Sequence, residues 1–372
     1  MTEAERGLTR KEVLAAGALG AAGIYFTGGR ALAANPEGAL HMDATTLNWL
    51  TWFDHYFPQQ LKVTQKNIGI ACRTKLAPSD SEIYTTLRQT GSQFDIAAMD
   101  ALWVPKAHKD GLIQTFDLAS IPASKGLYSD ARHIKFWTAG SQYMAYPNGW
   151  STIQVYYNPK FVKTKPDSYH ALLDPKYKGK IVYENSPETF VAFAGLATGA
   201  KVPYDQTLNE LKRSKEWLQK LKPNILKIVD QNFETVNALK DQSAWIGMGN
   251  LGVDVRVKNA GGPPIKVAFQ KEGQPGWFDG EMMVKASKHK DVFGKFMNSV
   301  EGQTYWIAQN FLKNGRPMFS EKAYRLLIKM GKKNLLDRFH YNNPELIFHA
   351  HLQGPAKNPQ AITDTFNEVF GG

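Results

Sequence analysis

From residue 47 onward, short runs of β-forming residues alternate with stretches whose apolar residues recur at helical spacing. That alternation confines the chain to α/β layers built around mostly parallel strands. Residues 47–52 read as a strand, 59–67 as a helix, and the alternating Ile68, Ile70 and Cys72 as a second strand. Ser79 and Asp80 offer helix N-caps ahead of Ile83 and Leu87, and 93–98 read as a buried strand that ends at Met99-Asp100. The second half repeats the pattern with other lengths. Strands fall at 151–157 and 181–183, and Ser186-Pro187-Glu188 opens a helix with a cap, a first-position proline and a first-turn acid. Asp205 caps a helix whose Leu208, Leu211, Leu218 and Leu221 share one face before Pro223. Strands at 244–248 and 265–269 flank a helix at 251–259, a short strand lies at 281–284, and helices at 289–300, 302–310, 320–330 and 359–370 close the chain. At roughly 150 residues per domain, 372 residues make about two such units.

The first 33 residues read as an export signal rather than as fold. Arg6, Arg10 and Lys11 give a positive start, 13–26 is an apolar stretch of small residues, and Ala31-Leu32-Ala33 is a cleavage site of the A-x-A kind. The apolar stretch is too short for a membrane span of about 20 residues. Thr9-Arg10-Lys11-Glu12 resembles the twin-arginine export motif with Lys11 in place of the second arginine, which leaves the general secretory route open as well. No cysteine follows the cleavage site, so a soluble protein of the periplasm or extracytoplasmic space, without a lipid anchor, is expected.

Charge and motifs then exclude whole classes of function. The formal charge is +11, but lysines and arginines are interleaved with acids and form no basic run, so no nucleic-acid partner is expected. A lone cysteine, Cys72, rules out an intrachain disulfide and any CxxC site, and is read as a small apolar residue of a half-buried strand. The mature chain has no Walker A pattern, no HExxH and no GxSxG. His349 and His351 lack a third ligand at motif spacing and are read as surface or hinge-contact residues, so no metal, cofactor or catalytic residue is assigned. A two-lobed exported chain without a catalytic constellation is a binder before it is an enzyme.

Binders with open α/β sheets take their ligands outside the carboxyl ends of the strands. The residues just past each strand here are Trp52-Phe53-Asp54, Asp100 with Trp103, Trp150, Glu188 and Trp277-Phe278-Asp279. Carboxylates interleaved with indoles suit an alkylammonium, which needs a counter-charge for its head and flat apolar faces for cation–π contact and for its methylenes. The glycine-flanked run Lys271-Glu272-Gly273-Gln274-Pro275-Gly276 reads as a loop delivering Trp277 and Asp279 to a cleft. Each group also has a plainer reading: Trp52 and Trp150 as core, Glu188 as a complement to a helix dipole, Asp100 as a cap.

The order of these motifs resembles the periplasmic polyamine-binding proteins, the spermidine/putrescine receptors of ABC importers. The anchors are Trp52 with Asp54, Phe94-Asp95-Ile96, Lys109-Asp110-Gly111-Leu112-Ile113-Gln114, Tyr146-Pro147 with Trp150, Leu173-Asp174-Pro175-Lys176-Tyr177-Lys178-Gly179-Lys180-Ile181, and Trp277-x-Asp279. The resemblance implies a bilobal, type II periplasmic-binding-protein-like fold, with two α/β lobes around a ligand cleft joined by hinge crossovers. The N-terminal lobe is then expected at 44–148 plus 280–314 and the C-terminal lobe at 149–279 plus 315–372. It also implies ligand carboxylates at Asp54, Glu188 and Asp279, an aromatic wall at Trp277, and further contacts from Asp100 and Trp103. Asn250 stands where a tryptophan is usual, and Gly315 near where a tyrosine is expected. Losing two aromatic walls makes the pocket wider or more polar.

The function implied is capture of a polyamine-like cation by a monomer that hands it to an ABC permease. Two alternatives stand beside it: a receptor of the same fold for an anion or ferric complex, and an exported enzyme acting on an amine.

Overall fold

The computed structural model describes residues 46–77, 79–184, 186–229, 232–341, 351–353 and 356–371. The export signal and His349 lie outside the described residues.

Strand β1 (Thr46–Thr51) is buried along its whole length, and its Trp49 packs edge-on against Phe296 at 5.2 Å. Helix α1 (Pro58–Ile68) returns the chain to β2 (Ala71–Leu76), parallel to β1. The strand predicted to start at Ile68 starts later. Ile68 is still helical, and Gly69 at φ 72 ends the helix in the left-handed conformation glycine tolerates. Cys72 is buried in β2. Helix α2 (Asp80–Thr90), capped by the Ser79 side chain, leads to β3 (Ile96–Asp100), and α3 (Trp103–Lys109) to the short β4 (Ile113–Gln114). A small hairpin, β5 (Thr138–Ala139) with β6 (Gln142–Tyr143), precedes β7 (Tyr146–Tyr157).

The second α/β layer contains β8 (Ile181–Glu184), α4 (Pro187–Ala197), α5 (Leu208–Leu221), β9 (Ile225–Val229), α6 (Asn232–Lys240), β10 (Ile246–Asn250), α7 (Val253–Asn259) and β11 (Lys266–Ala268). Helix α5 is capped by Thr207 rather than by Asp205. Thr207 Oγ1 accepts the Glu210 N–H while Glu210 accepts the Thr207 N–H, and Asp205 instead accepts the N–H of Lys357. Phe190, Phe193, Trp217 and Leu218 centre the core of this half, closed over by Phe366 of the last helix.

Strand β12 (Pro275–Val284) follows, then α8 (Lys290–Gly302), α9 (Thr304–Asn314), α10 (Glu321–Lys329), α11 (Lys333–Arg338), β13 (His351–Leu352) and α12 (Pro359–Phe370). Helix α12 packs on α4 and α5 of the second half. The segment after α9 pairs with the first half, Leu127 bridging Ser320 and Gly149 bridging Met318.

The strand order β2-β1-β3-β12-β7-β10-β8-β9 explains the architecture. β2, β1 and β3 are mutually parallel, as are β10, β8 and β9. The two parallel groups are joined by the long antiparallel pair β12 and β7. β7 pairs with β12 through 146–152 and with β10 through 153–157, so it passes from one layer into the other. β12 pairs with β3 through 279–283. It begins at Pro275, six residues before the short strand predicted at 281–284, so Trp277 and Asp279 stand in a strand and not in the loop expected to present them.

Candidate functional site

The strand ends predicted to carry the site converge around β12, and the converging charges divide into a closed group and an open one. Asp279 lies in β12 opposite Asp100 of β3 and is 1% exposed. Its Oδ1 accepts the Gly149 N–H at 3.0 Å, and Nη2 of Arg316 donates to both carboxylate oxygens at 2.6 Å each. His55 Nε2 approaches from the other side at 3.3 Å, and His55 Nδ1 stands 2.5 Å from Glu281, which also accepts the indole N–H of Trp49 at 2.8 Å. Burial alone would push Asp279 up, but Arg316 and His55 outweigh it and hold the carboxyl below its ordinary range. Burial and Arg316 press His55 toward its neutral form. Asp279 and Glu281 overcome both, and its pKa is pushed up to about 9. Glu301, which accepts an N–H of Asn148 at 3.1 Å, is pushed up to about 8 by burial and by Glu281.

The predicted ammonium contact at Asp279 is therefore made within the chain. The Arg316 guanidinium also lies 5.9 Å over the Trp277 ring, so one protein cation makes both the ion pair and the cation–π contact expected of a ligand. Arg316 was missed because it follows Gly315, the position the resemblance marks as departing. Gly315 offers no open wall. At φ 67 it packs backbone to backbone on Gly252, and a Cβ there would sit 2.4 Å from the Gly252 Cα. Asn250 compensates in part for the missing indole: its Oδ1 accepts the Trp277 N–H at 2.7 Å, and its carbonyl accepts the Tyr156 hydroxyl at 2.8 Å.

The open group comes from both halves of the sheet. Asp54 follows β1, with its carbonyl fixed by Asn310 at 2.7 Å and by Arg316 Nη1 at 3.1 Å, while its carboxylate stays 3.9 Å from that guanidinium and 18% exposed. The Trp52 ring lies tilted against that of His55, with centroids 4.9 Å apart. Asp80, at the start of α2, accepts the Asp100 N–H at 2.8 Å, and the two half-buried carboxyls hydrogen-bond each other. Burial raises both, Asp80 to about 7; Asp80 raises Asp100 further, while the hydrogen bonds from Asp100 draw Asp80 part of the way back, so the pair holds a proton at neutrality. Trp103 opens α3 with its ring 5.3 Å from Tyr84.

From the second half, Glu184 at the end of β8 accepts an N–H of Asn232 at 2.9 Å and is raised by burial; the charge of Asp54 adds to the rise. Glu188 is exposed in the first turn of α4, and both it and Asp100 act on the half's Tyr204 hydroxyl. Among the described residues no lysine or arginine lies within ion-pair distance of Asp80, Asp100, Glu184 or Glu188. Trp150 does not join them. It pairs with Phe278, one residue along β12 from Trp277, and so faces the opposite side of the sheet, with its indole N–H buried and unpartnered. Sequence reasoning missed Arg316, His55, Glu184 and Asn232, and gave Asp80 only a capping role. A surface groove of about 490 Å³ lined by Lys165, His170, Asp174 and Tyr177 carries no comparable convergence of charge and lies on the run between β7 and β8.

Comparison with known proteins bears on the family and the fold. Residues 62–322 match the family described as bacterial extracellular solute-binding protein. The spermidine/putrescine-binding periplasmic protein of Escherichia coli (strain K12) is 26% identical over 277 residues, covering 72% of this chain and 76% of that protein. The putrescine-binding periplasmic protein PotF of the same strain is 24% identical over 285 residues, with the same coverage. Among solved structures, a putative spermidine/putrescine ABC transporter from Listeria monocytogenes aligns with a TM-score of 0.75 at 22% identity, over 88% of this chain and 98% of that one. The PBP MotA from A. tumefaciens B6, in complex with glucopine, aligns at 0.68 and 15%, over 87% and 99%. These likenesses carry the fold: the bilobal type II arrangement expected from the sequence.

Proposed function

The chain belongs to the bacterial extracellular solute-binding proteins, and from that premise we propose that it captures a polyamine-class cation in the cleft between its two lobes and delivers it to an ABC import permease. A solute binder needs no catalytic constellation, so the exported-enzyme alternative falls away with the family. The observation that carries the ligand class is the open group of carboxyls, Asp54, Asp80 with Asp100, and Glu184. They come from both α/β layers, and Asp80, Asp100 and Glu184 have no ion-pair partner among the described residues. A water-filled cleft bounded by such groups is stabilised by a cation that replaces their hydration with charge-assisted hydrogen bonds. The overall charge of +11 does not reverse this, because dispersed charges are screened over roughly 8 Å whereas the carboxyls act at contact. The relatives named for spermidine and putrescine point to the same class.

Of the residues that the sequence singles out, Asp54, Asp100, Glu188 and Trp277 are assigned to ligand contact; Asp279, Asn250 and Trp52 support them by holding Arg316, Trp277 and His55. Trp103 forms the outer wall beside Asp100. Residues 1–33 direct export and are removed, and N-terminal sequencing of the secreted protein tests this by reading Ala34 as the first residue. No helix among the described residues is long and apolar enough to cross a membrane.

The ligand class is tested by thermal shift and titration calorimetry of the purified protein against putrescine, spermidine, phosphate, sulfate and ferric citrate. An amine that raises the unfolding temperature in proportion to the logarithm of its concentration supports the proposal. Stabilisation by an anion or ferric complex, with none by amines, refutes it.

A further inference from the structure

Asp279 is gripped by its carboxylate oxygens, whereas at Asp54 it is the backbone that is fastened. The Asp54 carbonyl accepts Nδ2 of Asn310 at 2.7 Å and Nη1 of Arg316 at 3.1 Å, while the carboxylate stands 3.9 Å from that guanidinium. Phe53, one residue earlier, is 51% exposed and adds little packing to the turn. Asn310 itself sits on a fixed platform. Helix α9 is held at its start on α1, where Phe57 and Trp306 stack at 5.3 Å and Gln303 Nε2 donates to Thr64 Oγ1 at 2.9 Å. At its end, Nη1 of Arg256 donates to the Asn314 carbonyl at 2.7 Å, and Gly315 packs on Gly252. Between these ends Asn310 is 2% exposed, and Nδ2 of Asn314, one turn on, donates to its Oδ1 at 2.5 Å. That contact turns Nδ2 of Asn310 toward the Asp54 carbonyl. The other donor, Arg316, is committed elsewhere: its Nη2 is held by both oxygens of Asp279, and a Cβ on Gly149 would lie 2.8 Å from its Nε and Nη2.

We propose that Asn310 is a positioning residue for ligand capture: through the Asp54 carbonyl, and with its own amide oriented by Asn314, it sets the Asp54 carboxylate in its binding place before a ligand arrives. This rests on the reading of the cleft as a polyamine site. A carbonyl held by two donors fixes the peptide plane that follows Asp54, and so restricts the direction of the Cα–Cβ bond from which the carboxylate hangs. The fastening uses a backbone acceptor and leaves the carboxylate oxygens to a cation. The freedom that a loose turn would lose on binding is then lost already on folding, which is how preorganisation tightens a complex. Asn310 acts on the ligand only through Asp54, so its effect on affinity depends on the side chain at 54.

A double-mutant cycle, read by calorimetric titration with putrescine and with spermidine, tests this dependence. N310A should weaken amine binding about fivefold or more relative to the parent. In the D54A background no carboxylate remains to be positioned, and adding N310A should change the affinity by less than about twofold. Equal losses in the two backgrounds, or parent-like affinity in N310A, overturn the inference whatever happens to the unfolding temperature, because a merely structural asparagine lowers stability without regard to residue 54. N314A leaves Asn310 in place but releases its amide, and should weaken binding in the same Asp54-dependent way. If N310A does not fold, N314A decides the question, and parent-like affinity there overturns the inference. Failure of the parent to bind either amine overturns the reading of the cleft and the inference with it, whereas a parent that binds with no coupling between positions 310 and 54 overturns the inference alone.

Discussion

His55 and Glu281 meet in the interior with Nδ1 2.5 Å from the carboxylate, and His55 carries its charge because that contact and the one to Asp279 outweigh its burial. Its pKa stands at about 9 in the folded chain against 6.5 when unfolded. A cation raised in this way stabilises the fold in full below about pH 6.5, and the contribution fades as the pH climbs to about 9. The span corresponds to about 3 kcal/mol. Urea unfolding at pH 6, 8 and 9.5 should show the protein weakening on the alkaline side, and H55Q should lose most of the weakening above pH 6.5. An alkaline slope that survives undiminished in H55Q would assign it to other groups.

The Asp80–Asp100 pair has the opposite partner requirement, since on the proposed reading of the cleft its shared proton stands where a ligand cation would stand. Both carboxyls are raised in the folded chain, so the pair stabilises the unliganded fold at acid pH; the Asp80 contribution is lost as the pH rises from about 4 to about 7, and that of Asp100 is likewise lost as the pH rises. Binding a cation favours the ionised pair and expels the proton. Amine affinity should therefore increase from pH 5.5 to pH 8, with proton release visible as a dependence of the binding enthalpy on the buffer. D80N should flatten that increase. Binding that releases no proton in the parent would exclude the pair from ligand contact.

Asp279 and Asp54 should separate stability from affinity. D279N leaves the Arg316 guanidinium buried beside a neutral amide, and breaking a buried pair on one side costs about 3–5 kcal/mol. Thermal unfolding should register this even without ligand. D54N removes a partly exposed carboxylate whose nearest cation is 3.9 Å away, so it should leave the unfolding temperature nearly unchanged and weaken amine binding about tenfold or more. If D54N binds the amine as the parent does, Asp54 is not a ligand contact.

Gly252 supplies a test of the scaffold. It has φ 97, and a Cβ there would stand 2.4 Å from the Asn314 carbonyl oxygen, so G252A must displace the turn that carries Arg316. Destabilisation above about 1 kcal/mol is expected in chemical unfolding. A variant as stable as the parent would show that the turn accommodates the methyl group.

Much of the framework is legible in the sequence because periodicity is a local property. β1, β3, β8, α5, α9 and α12 fall within a few residues of their predicted places, and the resemblance supplied the bilobal arrangement. What was missed depends on contacts distant in the chain. β9 is itself the run Ile225, Leu226, Ile228 and Val229, whose β-branched residues signalled a strand that was not read, and α6 follows it. The start of β12 was hidden by glycine and proline, which suggest a loop until β7 is known to lie alongside. Arg316 and Asp279 are 37 residues apart, and nothing local marks an arginine as the partner of one carboxylate rather than another. Trp150 illustrates the same limit in reverse: a tryptophan taken as lying just past a strand reads as part of the site, and only the register with Phe278 turns it to the other face.

The missing side chain at position 149 carries a lesson about descent. Because the guanidinium of residue 316 takes up the volume that a methyl group at 149 would need, position 149 is held to glycine for as long as Arg316 stays. A lineage that exchanges Arg316 for a smaller residue becomes free to place alanine or serine at 149, and one that acquires alanine there first must give up the arginine or move it. Tracking these two positions together through related receptors would date when the chain began to supply its own cation.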